Sequence, residues 1–278
     1  MARRATADGA GARRAARRAE RRRQAMKHLG RLLGLAVVCL IALQLYFVLR
    51  IALMAVVDPQ STSFQRSEAR RLLGETGRIE WSQQWVPYDR IAPSLKRAVI
   101  ASEDASFVDH GGVDWDAIEK AWDRNLRAEA RAEKLNQQLQ RQGKAAARTA
   151  APAPQPRIVG GSTITQQLAK NLFLSPERTT LRKGQELAIT YMLETLLGKQ
   201  RILEIYLNNV EWGEGVFGAQ AAARHYFRVD ASQLGTLPAA RLAVMLPAPK
   251  RFEKRPGSPY IVGRAGTVAA RMGAVDLP

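Results

Sequence analysis

Residues 160–198 have the sequence GGSTITQQLAKNLFLSPERTTLRKGQELAITYMLETLLG, and this stretch determines the predicted fold. Thr163, followed three residues later by Gln166, forms a capping-box pattern that predicts a helix over residues 163–173. A second helix is predicted over residues 180–197, because the glycine that follows is typical of a helix end. Further helices are predicted over residues 201–207 and 216–225. No run of alternating strands is evident, so the sequence predicts a mainly α fold.

The first of these helices has a polar stripe. At about 100° per residue, Thr163, Gln167 and Lys170 share one face. Surface helices often have such a stripe, which by itself indicates nothing more than exposure to solvent. A hydroxyl, an amide and an ammonium group nevertheless suit a phosphate or a sugar as ligand.

The second helix begins with a basic pair, since Arg182 and Lys183 precede Glu186 by four and three residues. One interpretation is an ordinary surface ion pair, which contributes at most about 0.5 kcal/mol. The other is an anion-binding edge with a carboxylate beside it. The spacing alone allows both.

Upstream, residues 101–114 read ASEDASFVDHGGVD, in which Glu103 and Asp104 follow an apolar run. A helix end could bring Glu103 to the rim of a pocket, where partial burial would raise its pKa and suit it to proton transfer. For an isolated acidic pair, a solvated helix end is the more common arrangement. Downstream, the glycine-marked loop after residue 209 is mostly architectural, and Asn208 and Glu204 are candidates for holding it.

The N-terminal region predicts a membrane anchor. Residues 1–31 form a basic tail with a net charge of +9, and the 18 residues from 32 to 49 contain no charge. The apolar character continues to residue 57, which is enough to cross a bilayer and too long for the apolar region of a cleaved signal peptide. The basic tail favours a cytoplasmic N-terminus, so residues 58–278 are predicted to lie outside the cytoplasm.

The net charge of +18 is concentrated in two peripheral segments. Besides the tail, residues 124–157 have a net charge of +6, and the rest of the chain has only +3. This distribution argues against a nucleic-acid-binding domain. A single cysteine, Cys39, excludes an intrachain disulfide bond, and the three histidines lack zinc-site spacing.

A long charged segment separates the acidic pair from the polar stripe. Asp114 is predicted to cap a helix that continues to about residue 142, where an Ala/Pro-rich linker follows. Residues 127–156 are predicted to form a mobile insertion.

Together and in this order, these clusters resemble the glycosyltransferase domain of peptidoglycan polymerases, in its short, monofunctional, proteobacterial form. The likeness covers about residues 85–255, and no SxxK or KTG motif of a transpeptidase is found in the sequence. Residues 127–156 look longer than the usual connection between the first two motifs. The first motif, E-D-x-x-F-x-x-H-x-G-x-D, is matched by Glu103, Asp104, Phe107, His110, Gly112 and Asp114. The other motifs are matched by residues 161–168 with Lys170 and Asn171; Arg182, Lys183 and Glu186; Glu204, Tyr206, Leu207, Asn208 and Gly213; and residues 242–252.

The resemblance implies a lysozyme-like helical glycosyltransferase domain after one transmembrane helix (32–57), in the inner membrane with the catalytic domain in the periplasm. It implies polymerisation of lipid II onto the growing glycan strand through β-1,4 linkages, with inversion at MurNAc C1 and release of undecaprenyl diphosphate. Cell-division or elongation proteins are further expected partners, and nucleic acid is not. Apolar patches at 172–174 and after Trp81 are candidates for dipping into the membrane.

The resemblance also assigns roles to residues. Glu103 would be the base and Glu186 the second catalytic carboxylate, which would orient the cations or help to hold a metal ion. The resemblance implies no metal site built by the protein alone; it allows Mg²⁺ or Mn²⁺ to bridge the substrate pyrophosphate near Glu186, and no organic cofactor is expected. The expected substrate-binding residues are Asp104, Phe107, His110, Thr163, Gln167, Lys170, Asn171, Arg182, Lys183 and Asn208.

Two other functions are compatible with parts of the sequence. A lysozyme-like hydrolase or lytic transglycosylase also uses a catalytic glutamate, but it would not need the cations at Lys170, Arg182 and Lys183. A non-catalytic membrane scaffold of cell-wall synthesis would suit the basic tail, yet it would be free to lose the motif acids that are all present here.

Overall fold

The computed structural model describes residues 2–142, 161–175, 177 and 179–278. The chain divides into two compact units, residues 1–53 and residues 54–278. The first unit consists of helix α1, Ala2–Leu53. Its stretch Arg22–Leu53 is long and apolar enough to cross a membrane, with a mean hydropathy of 2.6 in its most apolar window. This N-terminal helix fits a single-pass membrane anchor.

The second unit is mainly helical, as predicted. Its helices in the described part of the chain are α2 Ser63–Thr76, α3 Pro93–Glu103, α4 Trp115–Gln142, α5 Ile164–Phe173, α6 Thr180–Leu196, α7 Lys199–Asn209, α8 Ala219–Phe227, α9 Thr236–Met245, α10 Pro249–Phe252 and α11 Pro259–Arg271. Short 3-10 turns occur at Tyr88–Arg90, Ala231–Gln233 and Met272–Ala274.

A small sheet accompanies these helices, with β1 at Ser82–Gln83, β2 at Glu211–Gly213 and β3 at Val216–Phe217. The strand order is β1-β3-β2; β1 is parallel and β2 antiparallel to β3. The predicted helix over 216–225 was therefore wrong at its start. Gly218 has φ 82°, and a Cβ there would lie 2.6 Å from the carbonyl oxygen of Asn208, so the chain turns before α8 begins.

The predicted helix starts are confirmed where a side chain caps them. The Thr163 hydroxyl accepts a hydrogen bond from the Gln166 amide (3.2 Å), and the Gln166 side chain accepts one from the Thr163 amide (3.2 Å). Asp114 caps α4 by accepting from the Ala117 amide at 2.7 Å. Helix α4 extends to Gln142, so the predicted insertion is helical over 127–142, and residues 143–156 lie outside the described residues.

Helix α3 is at the centre of the core, where it packs against α9 and α11. Leu95 and Val99 are fully buried, and each such side chain contributes roughly 1.5–3 kcal/mol through the hydrophobic effect. Helix α5 packs against α2, α6 and α7. This arrangement fixes the C-terminal end of α3, where Glu103 lies.

The predicted membrane patch at residues 172–174 was wrong, because Leu172 and Leu174 are buried in the core. Exposed apolar side chains lie instead on α4, where Trp115, Trp122 and Leu126 are 63%, 66% and 49% exposed. Their spacing of seven and four residues places them on one face of the helix. Trp81 is 37% exposed and stacks on Phe217 with ring centroids 4.3 Å apart.

Candidate active site

A cavity of about 410 Å³ lies where α5, the start of α6, β2 and α10 meet. It brings together six residues that the sequence predicted for the site, contributed by α5 and α6. They are Gln167, Lys170, Asn171, Arg182, Lys183 and Glu186. Other lining residues include Phe64, Ser162, Gln166, Glu211, Leu246 and Pro249.

The basic pair of α6 forms one edge of this cavity. Arg182 Nη1 donates to Glu186 Oε2 at 2.9 Å, and Lys183 Nζ donates to Glu186 Oε1 at 2.5 Å. The Glu186 side chain is only 5% exposed and that of Arg182 17%, so this is not an ordinary surface ion pair. Because two cations share one carboxylate, the edge keeps a net positive charge that favours an anion.

Glu103 is connected to the cavity through Gln167. The Gln167 amide nitrogen donates to Glu103 Oε2 at 3.0 Å, while its amide oxygen accepts from the Tyr206 hydroxyl at 2.9 Å. Burial raises the pKa of Glu103 above its usual range, and repulsion from Asp104 adds to this, whereas Gln167 and Lys170 oppose it. A glutamate with a raised pKa is suited to exchange protons near neutral pH.

Asp104 joins the end of α3 to the start of α5. Its Oδ2 accepts from the Ile164 amide at 3.0 Å, and its Oδ1 lies 2.8 Å from His110 Nε2. The Gly112 amide donates to His110 Nδ1 at 3.1 Å, so Nε2 bears the proton that is donated to Asp104. These bonds hold Glu103 in place relative to Gln167.

Four residues expected to bind substrate have buried side chains and are not among the residues that line this cavity. Asn208 holds the chain at Val86 through two hydrogen bonds of 2.8 and 2.9 Å, and not the glycine-marked loop after residue 209 that the sequence predicted it to hold. The Thr163 hydroxyl donates to the Gly112 carbonyl at 2.6 Å. The four residues are Asp104, Phe107, Thr163 and Asn208, at 7%, 0%, 2% and 0% exposure. His110 is partly exposed, and its Nε2 donates a hydrogen bond to the Asp104 carboxylate.

The comparison with known proteins identifies the family. A family model described as "Transglycosylase" matches residues 70–151 and 142–273. The chain belongs to the transglycosylase family. The two matched segments overlap at residues 142–151, inside the predicted insertion.

Several curated relatives of this transglycosylase have the name "Biosynthetic peptidoglycan transglycosylase". One from Burkholderia pseudomallei is 50% identical over 258 residues, covering 93% of this chain and 91% of the relative. One from Cupriavidus pinatubonensis is 51% identical over 259 residues, covering 91% and 92%. One from Paraburkholderia xenovorans is 48% identical over 253 residues, covering 91% and 93%.

Two groups of this transglycosylase that could hold a metal ion, Glu186 and the cluster of Asp104, His110 and Asp114, have ligand atoms that are already bonded to protein groups. Both oxygens of Glu186 are engaged by cationic side chains, so this carboxylate is not free to be a ligand. Asp104, His110 and Asp114 offer ligand atoms within 4.8 Å of one another, but all three already have protein partners. Although burial opposes it, hydrogen bonds from Ser106 and the Ala117 amide keep the pKa of Asp114 below its usual value.

Glu211 was missed by the sequence reasoning, although its side chain lines the cavity of this transglycosylase. In the sequence, this carboxylate is part of the loop NNVEWGEG and precedes Trp212, which the fold buries completely. The sequence alone did not indicate that this strand forms a wall of the cavity.

Proposed function

We propose that this transglycosylase polymerises lipid II into β-1,4-linked glycan strands, inverting at MurNAc C1 and releasing undecaprenyl diphosphate. The chain is a peptidoglycan glycosyltransferase. The observation that supports the detailed chemistry best is the pairing of Glu103, through Gln167, with a cavity whose wall contains Lys170, Arg182 and Lys183.

Glu103 is proposed to remove the proton from the GlcNAc 4-hydroxyl of the acceptor as that oxygen attacks. A sugar hydroxyl is a weak nucleophile, so a positioned base contributes about 10²- to 10⁴-fold in rate. The raised pKa of Glu103, caused first by burial, makes it a stronger base than a solvated glutamate. The hydrogen bond from Gln167 orients the carboxylate of this base towards the cavity that Gln167 lines.

The basic edge is proposed to hold the pyrophosphate of the donor. Negative charge grows on this leaving group as the glycosidic bond breaks, and fixed cations stabilise it most in the transition state. Glu186 holds Arg182 and Lys183 in their orientation. It is therefore proposed as a positioning residue, which replaces the catalytic role expected from the sequence.

The hydrolase alternative is less compatible with this geometry. A retaining hydrolase needs a second free carboxylate about 5 Å from the first. Asp104, the neighbour of Glu103, is already bonded to His110 and to the Ile164 amide. A hydrolase would also have no use for three cations lining the cavity.

The test is incubation of the purified full-length protein with lipid II, with and without moenomycin. Glycan chains that form and disappear with the inhibitor are expected. Fragments released from finished peptidoglycan would favour the hydrolase, and protein that neither polymerises nor cleaves would favour the scaffold.

The membrane-spanning candidate helix supports a location in the inner membrane. We propose that the basic residues before it keep the N-terminus in the cytoplasm and place residues 58–278 in the periplasm. The exposed stripe Trp115, Trp122 and Leu126 would suit the membrane interface, where both substrates are tethered by their lipids. Cell-division or elongation proteins are proposed as further partners, and labelling of cysteines introduced on each side of the helix would test the orientation.

A further inference from the structure

Glu211 lines the cavity but has no part in the chemistry described above. It is the first residue of β2, where it pairs with Phe217 on β3. The Glu211 side chain is only 7% exposed. Its position is therefore fixed by a strand, and its carboxyl group is largely removed from water.

The Glu211 Oε1 atom is buried and has no hydrogen-bond partner among the described residues. The Lys250 ammonium is 3.6 Å from this oxygen, and it makes direct contact with Glu68. Lys250 is thus shared between two carboxylates and leaves acceptor capacity on Glu211. A buried acceptor of this kind is costly unless something donates to it.

A donor on another residue that lines this cavity is also unpaired. Arg182 Nε is buried and has no acceptor. Within the described part of the chain, only three buried side-chain atoms lack a hydrogen-bond partner, and the third belongs to Arg241. Two of the three therefore come from residues around one cavity. An unpaired acceptor and an unpaired donor indicate a ligand with both kinds of group.

The charges of the walls determine which end of a ligand goes where. A phosphate is attracted to Arg182 and Lys183 and is repelled by the Glu211 carboxylate. The group near Glu211 must instead be an uncharged donor, such as a sugar hydroxyl or the N–H of an N-acetyl group.

We propose that Glu211 is a substrate-binding residue that accepts a hydrogen bond from a hydroxyl or N-acetyl N–H of the donor sugar. This inference rests on the proposed function, because it takes the diphosphate of that sugar to lie against the basic edge. It adds a contact from a second lining residue that fixes the orientation of the sugar in the cavity.

The surroundings of Glu211 make this contact dependent on pH. Burial raises the pKa of Glu211 to about 7; Lys250 opposes this, and repulsion from Glu68 and Glu253 adds to it. Tyr226 also faces the carboxyl group, and its hydroxyl donates to the Trp212 carbonyl. Because the ionised form is the better acceptor, the KM for lipid II should fall as the pH rises through about 7.

The experiment measures kcat and KM for lipid II between pH 5.5 and 8.5 with the full-length chain. In Glu211→Ala, KM at pH 8 should rise about tenfold, the loss expected for one hydrogen bond to a charged group, with kcat within about twofold of wild type. In Glu211→Gln, KM should become independent of pH. The matched control is Glu214→Gln, which removes an exposed ion pair with Arg71 and leaves the cavity walls unchanged.

Wild-type KM in Glu211→Ala, or a pH dependence of KM that persists in Glu211→Gln, would overturn the inference while the proposed function stands. A lower melting temperature with unchanged KM would show a structural role only, and it would overturn the inference too. If Glu211→Ala does not fold, the Glu211→Gln profile decides. Wild-type protein that makes no glycan from lipid II refutes the proposed function and this inference together.

Discussion

Replacing Gln167 by Leu should move the pH dependence of catalysis without abolishing it. The Gln167 side chain donates a 3.0 Å hydrogen bond to the Glu103 carboxylate, and this bond lowers a pKa that burial raises. A hydrogen bond to a charged group contributes about 1.5–3 kcal/mol, and one pKa unit corresponds to about 1.4 kcal/mol. Loss of the bond should therefore raise the pKa of Glu103 by about one to two units.

The sign follows from the role of the base. Glu103 must be ionised to accept a proton, so activity falls as the pH drops through its pKa. In Gln167→Leu the acidic limb of the kcat profile should move to higher pH by about one to two units, so activity lost at a given pH should return in part as the pH is raised further. The assay is the initial rate of lipid II polymerisation at saturating substrate, measured from pH 5 to 9.

Tyr206→Phe is the matched control, since it removes the hydroxyl that donates to Gln167 and leaves the bond between Gln167 and Glu103 intact. Its acidic limb should move by less than about half a unit, because the direct donor to the carboxylate remains. An acidic limb that stays in place in Gln167→Leu, or that moves to lower pH, would refute the assignment of Glu103 as the base held by Gln167.

Three further predictions follow from the same contacts. Glu103→Gln should lower kcat about 10²- to 10⁴-fold. Because burial raises the pKa of Glu103, the folded wild-type protein loses stability as the pH rises and Glu103 ionises, so the variant should have a higher melting temperature than wild type at pH 8 and a smaller difference at pH 5. Equal differences in melting temperature at the two pH values would contradict this. Asn208→Ala removes hydrogen bonds to the Val86 amide and to the carbonyls of Val86 and Glu204, so denaturant unfolding should show a loss of about 2–4 kcal/mol; a change below about 0.5 kcal/mol would be inconsistent with the buried contacts. Because Arg182 and Lys183 engage both oxygens of Glu186, EDTA and Mg²⁺ should leave the melting temperature of the substrate-free protein unchanged, and a shift of several degrees would reveal a resident metal site.

Local sequence determined the features that depend on neighbours along the chain. The capping box of Thr163 and Gln166 and the cap at Asp114 fixed helix starts, because those hydrogen bonds span three residues. The contacts of Arg182 and Lys183 with Glu186 were also predictable, since residues three and four apart are adjacent on a helix. The apolar N-terminal helix was evident from composition alone.

Only the tertiary structure decided how these local pieces combine. Glu103 and Gln167 are 64 residues apart, and they meet because the Asp104 carboxylate holds the end of α3 against the start of α5. Glu211 became part of the cavity because β2 pairs with β3 after a turn that the glycines permit. Burial is likewise a property of the packed molecule: the matched motifs contain both Lys170, which lines the cavity, and Phe107, which is in the core. A sequence shows which groups are available, and the packing of distant segments determines which of them a substrate can reach.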